Sequence, residues 1–230
     1  MELLNLHAYT PVQLAFYATG AYLWVVAYLI YIRNGLRYRV VEMPAFAACG
    51  NIGWELNWAL FFTTDLGALC VWAHRAWFFF DLAIFYCVLR YAHHQTETLY
   101  LKRYWVPLCL FVFLCSVAFY GTFVLQGLDV GSTIQSAYIC QLPISFLYIP
   151  LLLRQRSLVG WSMAAGWCRT LGTGLIGVFA FMRYPDYPFL LTMAVISTAV
   201  DFFYLYLFAL RRRELAKTSA AIPDPAPMPA

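Results

Sequence analysis

The stretch Trp105–Leu125, WVPLCLFVFLCSVAFYGTFVL, contains no charged side chain from end to end. As an α-helix rising 1.5 Å per residue, it would extend about 30 Å, which is the thickness of the hydrocarbon core of a bilayer. A run this long and this apolar is typical of a helix that crosses a membrane.

The composition of the whole chain points the same way. The 230 residues are 63% hydrophobic and only 11% charged, whereas a soluble domain carries about 25% charged residues. Backbone polar groups in lipid must be satisfied within their own segment, which favours helices. The apolar stretches are continuous and do not alternate with polar residues, which argues against an outer-membrane barrel.

Six further apolar runs of similar length flank the first one. We therefore predict an all-α fold, a polytopic membrane protein with a seven-transmembrane-helix bundle that forms one domain over residues 1–217. The third span is the weakest, because His74 and Arg75 interrupt it, and it is expected to be short. The predicted spans are Val12–Ile32, Met43–Phe62, Leu69–Leu89, Trp105–Leu125, Ile134–Leu153, Trp161–Phe181 and Phe189–Leu210.

The loops predict the orientation of the bundle. Most basic residues fall on one side of the seven spans, and the other side has only Arg183 and Arg75. Cytoplasmic loops carry an excess of Lys and Arg. We expect the N-terminus outside and the C-terminus in the cytosol, in a bacterial cell membrane or, in a eukaryote, the ER. The residues on the basic side are Arg33, Arg37, Arg39, Arg90, Lys102, Arg103, Arg154, Arg156, Arg211, Arg212, Arg213 and Lys217.

The two ends of the chain carry different signals. The first apolar run lacks a basic region before it, so we expect a spanning helix and not a cleavable signal peptide. Residues 218–230 read TSAAIPDPAPMPA, a Pro/Ala-rich segment without periodicity. Such composition predicts a disordered tail, which would lie in the cytosol.

Four ionisable residues fall inside the predicted spans: Glu55, Asp81, Arg169 and Asp201. A charge at the bilayer centre costs roughly 2.5–3.5 kcal/mol even on lenient scales, so such residues are candidates for function. Counted along their helices, all four lie near the midplane. This predicts one shared polar cavity. The alternative is a buried ion-pair network that only orders the bundle.

Aromatic side chains flank the carboxyl groups along the helix faces. Ring faces stabilise cations, although aromatic stripes in membrane proteins are more often core or lipid-facing. A carboxylic acid kept neutral in an apolar site can donate a proton, and a dry cavity would protect a carbocation from water. The residues alone allow proton-initiated cyclisation or proton-coupled transport. The candidates for lining the cavity and stabilising a cation are Trp54, Trp58, Trp77 and Tyr204.

Several familiar motifs are missing from the sequence. No D-D-x-x-D or D-x-D-D cluster is present to bind Mg²⁺–diphosphate, and the seventh span has no Lys for a retinal Schiff base. We therefore expect no metal and no cofactor. Basic residues cluster only beside the spans, so no nucleic-acid binding is expected.

One segment matches a known family. The second span contains CGNIGWELNW (Cys49–Trp58), which resembles the N-I-x-W-E segment of the small membrane-bound terpene cyclases. These enzymes act in fungal pathways of the pyripyropene and paxilline type, and bacterial relatives form drimane-type products. Further matching positions are Arg75–Asp81, Cys140 to Leu142, Ser157, Gly160, Ser162, Arg169 to Gly172, and Asp201.

The resemblance implies an enzyme with two catalytic acids, Glu55 and Asp201. It implies a metal-independent terpene cyclase of the isomerase or lyase type. The substrate would be a prenylated aromatic compound, such as a farnesylated indole supplied by an upstream prenyltransferase, that is protonated at its terminal alkene or epoxide. Supporting polar roles are expected for Asn51, Asp81, Arg169 and Gln141.

A small transporter of the SWEET or PQ-loop kind is the competing hypothesis. Its mark would be a Pro-Gln pair in spans one and five. Span five has Gln141 and Pro143 without such a pair, and span one has Pro11 and Gln13 only at its edge.

Overall fold

The computed structural model describes residues 2–96 and 98–220, and within these ranges every regular element is helical. Residues 221–230 of the predicted tail lie outside the described residues. The helices are α1 (Pro11–Tyr38), α2 (Ala45–Leu56) with a π-helical turn (Asn57–Phe61), α3 (Ala68–Tyr91) with a 3-10 turn (Ala92–Gln95), α4 (Leu99–Arg103), α5 (Trp105–Leu125), α6 (Ile134–Leu153), α7 (Met163–Arg183) and α8 (Pro188–Ala220).

Apart from the single turn of α4, these helices correspond one to one with the seven predicted spans, which confirms the all-α bundle. Five of them, α1, α3, α5, α6 and α8, are long and apolar enough to cross a membrane by themselves. The third span was expected to be short, but the helix found there, α3, has 24 residues. His74 faces the interior, and Arg75 donates to the Ala59 carbonyl at 3.4 Å and lies over the Trp72 ring.

The helices enclose an interior space. Helix α1 packs on α7 and α3, α2 packs on α3, α5 and α6, and α8 packs on α6 and α7. The closest approach of α1 and α7 is at Gly20, where an added Cβ would lie 2.7 Å from the Gly172 carbonyl oxygen. Because neither Gly20 nor Gly172 has a side chain, the backbones of α1 and α7 come into contact here, as is common in membrane bundles.

A π-helical turn follows the segment that carries Glu55. The Phe62 N–H bonds to the Asn57 carbonyl, five residues back, at 2.9 Å. The Asn57 N–H bonds to the Trp54 carbonyl, and its side chain donates to the Gly53 carbonyl at 2.8 Å. The side-chain amide of Asn57 therefore gives the Gly53 carbonyl the hydrogen bond that the Asn57 backbone N–H would make in a regular α-helix.

The end of the bundle opposite the basic loops is covered by the chain that precedes α1. The Asn5 N–H bonds to the Leu66 carbonyl at 3.1 Å, and the Tyr9 hydroxyl donates to Asp65 at 2.6 Å. Tyr184 continues this network by donating to Ser132 at 2.9 Å. We call these residues the N-terminal cap, because together they close that end.

We expect Gly53→Ala to destabilise the protein and Gly50→Ala to leave it as stable or more stable. A Cβ at Gly53 would lie 2.6 Å from the Ser116 hydroxyl oxygen, while a Cβ at Gly50 meets nothing within 4 Å. Overpacking of this kind costs about 1–3 kcal/mol, whereas alanine in an open helical position gains up to about 1 kcal/mol. Thermal unfolding of both variants in detergent checks this, and equal midpoints would contradict it.

Candidate active site

A cavity lies between α1, α2, α3, α6 and α7. The cavity runs from the middle of the bundle toward the end closed by the N-terminal cap. Aromatic rings form much of its wall: Tyr17, Trp24, Tyr28, Trp54, Trp77 and Tyr138.

Glu55 is the carboxyl group in this wall. Its side chain is buried, and its Oε2 lies 3.8 Å from Nδ1 of His74. Within the described ranges, neither Oε2 nor either nitrogen of His74 has a hydrogen-bond partner. Glu55 therefore lies in a mainly aromatic wall with His74 beside it, and it interacts electrostatically with Asp81 behind the wall.

His74 was not predicted as a site residue, because its charge pattern with Arg75 marks it as an interruption of the third span. The structure buries it among three tryptophan rings, with ring centroids 5.6 Å from Trp54, 6.2 Å from Trp58 and 5.7 Å from Trp77. Its spacing carried the signal, because His74, Trp77 and Asp81 stand at i, i+3 and i+7 and share one helix face.

Asn51 connects the cavity to Asp81. The Asn51 amide donates to Asp81 Oδ2 at 2.6 Å and to the Tyr28 hydroxyl at 2.7 Å. Cys140 approaches the Asn51 oxygen at 3.5 Å. Asn51 and Tyr28 line the cavity, and Asp81 lies behind them. Asp81 thus holds Asn51 in place through this hydrogen bond, although Asp81 itself does not line the cavity.

Asp201 and Arg169 form a separate buried pair. Arg169 Nη2 lies 3.2 Å from Asp201 Oδ1, and both side chains are fully buried. The guanidinium carbon also lies 3.7 Å from the ring centroid of Tyr148 and 4.8 Å from that of Tyr204. The arginine charge is therefore held by one carboxylate and two ring faces.

Gln141 separates this pair from the cavity. It lines the cavity, and its Nε2 lies 3.5 Å from Asp201 Oδ2 and 2.9 Å from the Ser145 hydroxyl. Thr173, a second residue of the wall, also faces Asp201. Asp201 is thus one side chain away from the space that Glu55 faces.

The structure does not gather all of the predicted site residues around one shared polar cavity. Glu55, Asn51 and Gln141 line the cavity, as do Trp54 and Trp77. Trp58 and Tyr204 do not line it, contrary to the expectation. Trp58 packs between Trp54 and His74, and the face of Tyr204 is taken by Arg169. The four ionisable groups fall into two sets: Arg169 pairs with Asp201, while Asp81 and Glu55 interact with each other.

In the part of the chain that the structure describes, no group of three or more His, Cys, Asp and Glu side chains is placed to hold a metal ion.

Comparisons with known proteins place this geometry in context. The family model of the Pyr4-like transmembrane terpene cyclases matches residues 4–214. The terpene cyclase macJ of Penicillium terrestre is 27% identical over 178 residues, which cover 75% of this chain and 68% of that protein. No solved structure matches.

Two further relatives match over shorter stretches. The terpene cyclase ascF of Acremonium egyptiacum is 30% identical over 83 residues, 36% of this chain and 30% of that protein. The Pyr4-family terpene cyclase mfmH of Annulohypoxylon moriforme is 29% identical over 87 residues, 38% of this chain and 35% of that protein. Because the family model spans almost all of the helical bundle, this multi-pass membrane protein belongs to the Pyr4-like transmembrane terpene cyclases.

Proposed function

We propose that this enzyme starts cyclisation by protonating the end of a prenyl chain and that Glu55 is the proton donor. The observation that carries the proposal is the position of Glu55, the carboxyl group that lines the aromatic cavity. Burying an unpaired charge costs far more than burying a neutral acid. Glu55 has no basic partner closer than His74, so the neutral acid suits this place.

The proposed reaction balances without a cofactor. At a terminal alkene, the π electrons take the Glu55 proton and form a new C–H bond, which leaves a carbocation on the neighbouring carbon. At a terminal epoxide, a lone pair of the oxygen takes the proton and the C–O bond breaks, which leaves an alcohol and a carbocation. Internal alkenes attack the cation and close the rings. A carbon next to the last cation then loses one proton, so an alkene substrate gives a product of unchanged mass. The rings of Trp54 and Trp77 face this space and suit a passing cation.

Asp201 has the environment of a proton acceptor. Its carboxylate is paired with Arg169, which favours the charged form, whereas Glu55 lacks such a cation. Two carboxyl groups in contrasting environments divide the roles of acid and base. In the proposal, Glu55 donates the first proton, and Asp201, which lies one side chain behind the wall, accepts the last one by way of Thr173, whose side chain lines the cavity and faces Asp201.

The wall of the cavity and the family both support the substrate class that we propose. The wall is mainly aromatic and aliphatic, with the polar groups of Asn51, Glu55 and Gln141 in a minority. A prenylated aromatic compound, such as a farnesylated indole made by an upstream prenyltransferase, fits this balance. The transporter hypothesis is not favoured, because the chain belongs to a family of cyclases.

We expect Glu55→Gln to lose about 100-fold or more of the cyclisation rate, because general acids contribute factors of this size. Membranes carrying the variant would be incubated with a farnesylated indole, and cyclic isomers measured by chromatography and mass analysis. Asp186→Asn is a matched control, since Asp186 lies in an exposed loop. Unchanged product formation by Glu55→Gln would remove this residue from the chemistry.

A double-mutant cycle separates the two roles of Asp201. Asp201→Asn or Arg169→Gln alone strands a buried partner and is expected to cost about 3–5 kcal/mol of stability. The double variant is expected to lose less stability than the sum of the two single losses. It should still be inactive in cyclisation, because the proton acceptor Asp201 is gone. Equilibrium unfolding in mixed micelles and the cyclisation assay measure the two quantities. An active double variant would show that Asp201 only holds Arg169.

The orientation proposed for the bundle is N-terminus outside and C-terminus in the cytosol. It rests on the basic loops, which lie at the end of the bundle opposite the N-terminal cap. In a bacterial host, green fluorescent protein fused after Lys217 should fluoresce, and alkaline phosphatase fused there should be inactive. Phosphatase fused after Gly127, at the capped end, is expected to be active. The reverse pattern would invert the assignment.

A further inference from the structure

A second group of buried polar side chains lies between the cavity and the basic loops. We call it the tyrosine cluster; its members come from the loop before α2 and from four helices. All are buried, and within the described residues the three hydroxyls, Oε1 of Glu42 and the guanidinium nitrogens have no hydrogen-bond partner. Buried polar atoms are normally satisfied, and water is the usual bridge. The members are Tyr31, Glu42, Tyr148, Arg169 and Tyr204.

Glu42 is the member nearest to the surface of the basic end. Its Oε2 accepts a hydrogen bond from the Ser162 N–H at 3.0 Å, and Ser162 is the half-buried N-cap of α7. Burial raises the pKa of Glu42 to about 8, against the opposing effects of the Ser162 N–H, Arg169 and the Tyr204 hydroxyl. The second oxygen, Oε1, is buried and has no hydrogen-bond partner among the described residues.

The groups that face Glu42 come from every element packed against it. Arg169 of α7 and the Tyr204 hydroxyl of α8 stabilise the charged form of Glu42. Tyr31 of α1 and Tyr148 of α6 also interact electrostatically with Glu42. Three of these four are hydroxyl groups, which can both accept and donate a proton. The cluster thus offers Glu42 several exchange partners and one fixed positive charge.

The inner side of the cluster reaches the cavity. Tyr204 stands three residues after Asp201 on α8, so both share a buried face. Asp201 borders Gln141 and Thr173, which line the cavity. Buried polar groups therefore lie at successive levels from Ser162 at the basic end to Gln141 and Thr173, which line the same cavity as Glu55. The other end of the bundle is closed by the N-terminal cap.

We propose that Glu42 and the Tyr204 hydroxyl form a proton path that connects the cavity with water at the basic end of the bundle. This proposal rests on the proposed function, in which one proton enters the substrate and one leaves it in each turnover. The path consumes no proton overall. It lets Asp201, and through the cavity Glu55, exchange protons with water at the basic end.

Isotope exchange tests the path directly. Enzyme equilibrated in H₂O is diluted into D₂O, a farnesylated indole is added after a variable delay, and the deuterium in the product of the first turnover is measured. The delay at which deuterium appears gives the rate at which the donor proton exchanges. We expect Glu42→Gln and Tyr204→Phe each to slow that exchange by about 100-fold, with a first-turnover rate close to that of wild type.

The variants are chosen to preserve structure. A glutamine at position 42 still offers an oxygen to the Ser162 N–H, and a phenylalanine at position 204 keeps the ring beside Arg169. Tyr206→Phe on the exposed face of α8 is the matched control and should exchange like wild type. Structural damage would loosen the bundle and speed exchange. Wild-type exchange in both test variants overturns the path, whereas a wild-type product without deuterium after full equilibration overturns the proposed function instead.

Discussion

A charge buried in this bundle must find its partner inside the protein, and the ion pair of Arg169 and Asp201 is where that constraint is met. Neither lipid nor water is within reach of either group, since both are fully buried. One carboxylate and the faces of Tyr148 and Tyr204 surround the guanidinium. Most of the interior arrangement follows from this choice of partners.

Because Arg169 is committed to Asp201, the remaining carboxyl groups must be accommodated differently. Asp81 obtains its hydrogen bond from Asn51, which in turn holds Tyr28. Glu55 is left with His74 as its nearest ionisable neighbour, inside a wall of tryptophan rings. The same membrane depth therefore contains one carboxylate stabilised by a cation and one acid in apolar surroundings. That contrast supports giving the two groups opposite parts in proton transfer.

The sequence was sufficient for the fold, because length and hydropathy determine where helices cross. Each predicted span corresponds to a helix, and the four ionisable groups are all buried. The distribution of these groups was not predictable in the same way. Depth along a helix says nothing about which side chains turn toward each other, so Arg169 could not be assigned to Asp201 in advance. Tyr204 was expected beside the cavity, but its ring faces Arg169.

His74 and Glu42 were missed for a different reason. Each sits near the end of a predicted span, where a polar residue is ordinarily explained by the membrane boundary. Helix α3 instead continues past His74 into the bundle, and the loop before α2 folds Glu42 under Ser162. Contacts between distant parts of the chain, which hydropathy does not describe, decide both burials.

The N-terminal cap has a consequence for how such an enzyme would meet its substrate. A network that joins Asn5, Tyr9 and Tyr184 to neighbouring loops blocks one axial route to the cavity. The prenylated substrate of the proposed function, dissolved among lipid tails, would not need that route. Its encounter with the protein is governed by its mole fraction in the bilayer, so the amount of lipid, and not the volume of buffer, sets the effective dilution of the reaction.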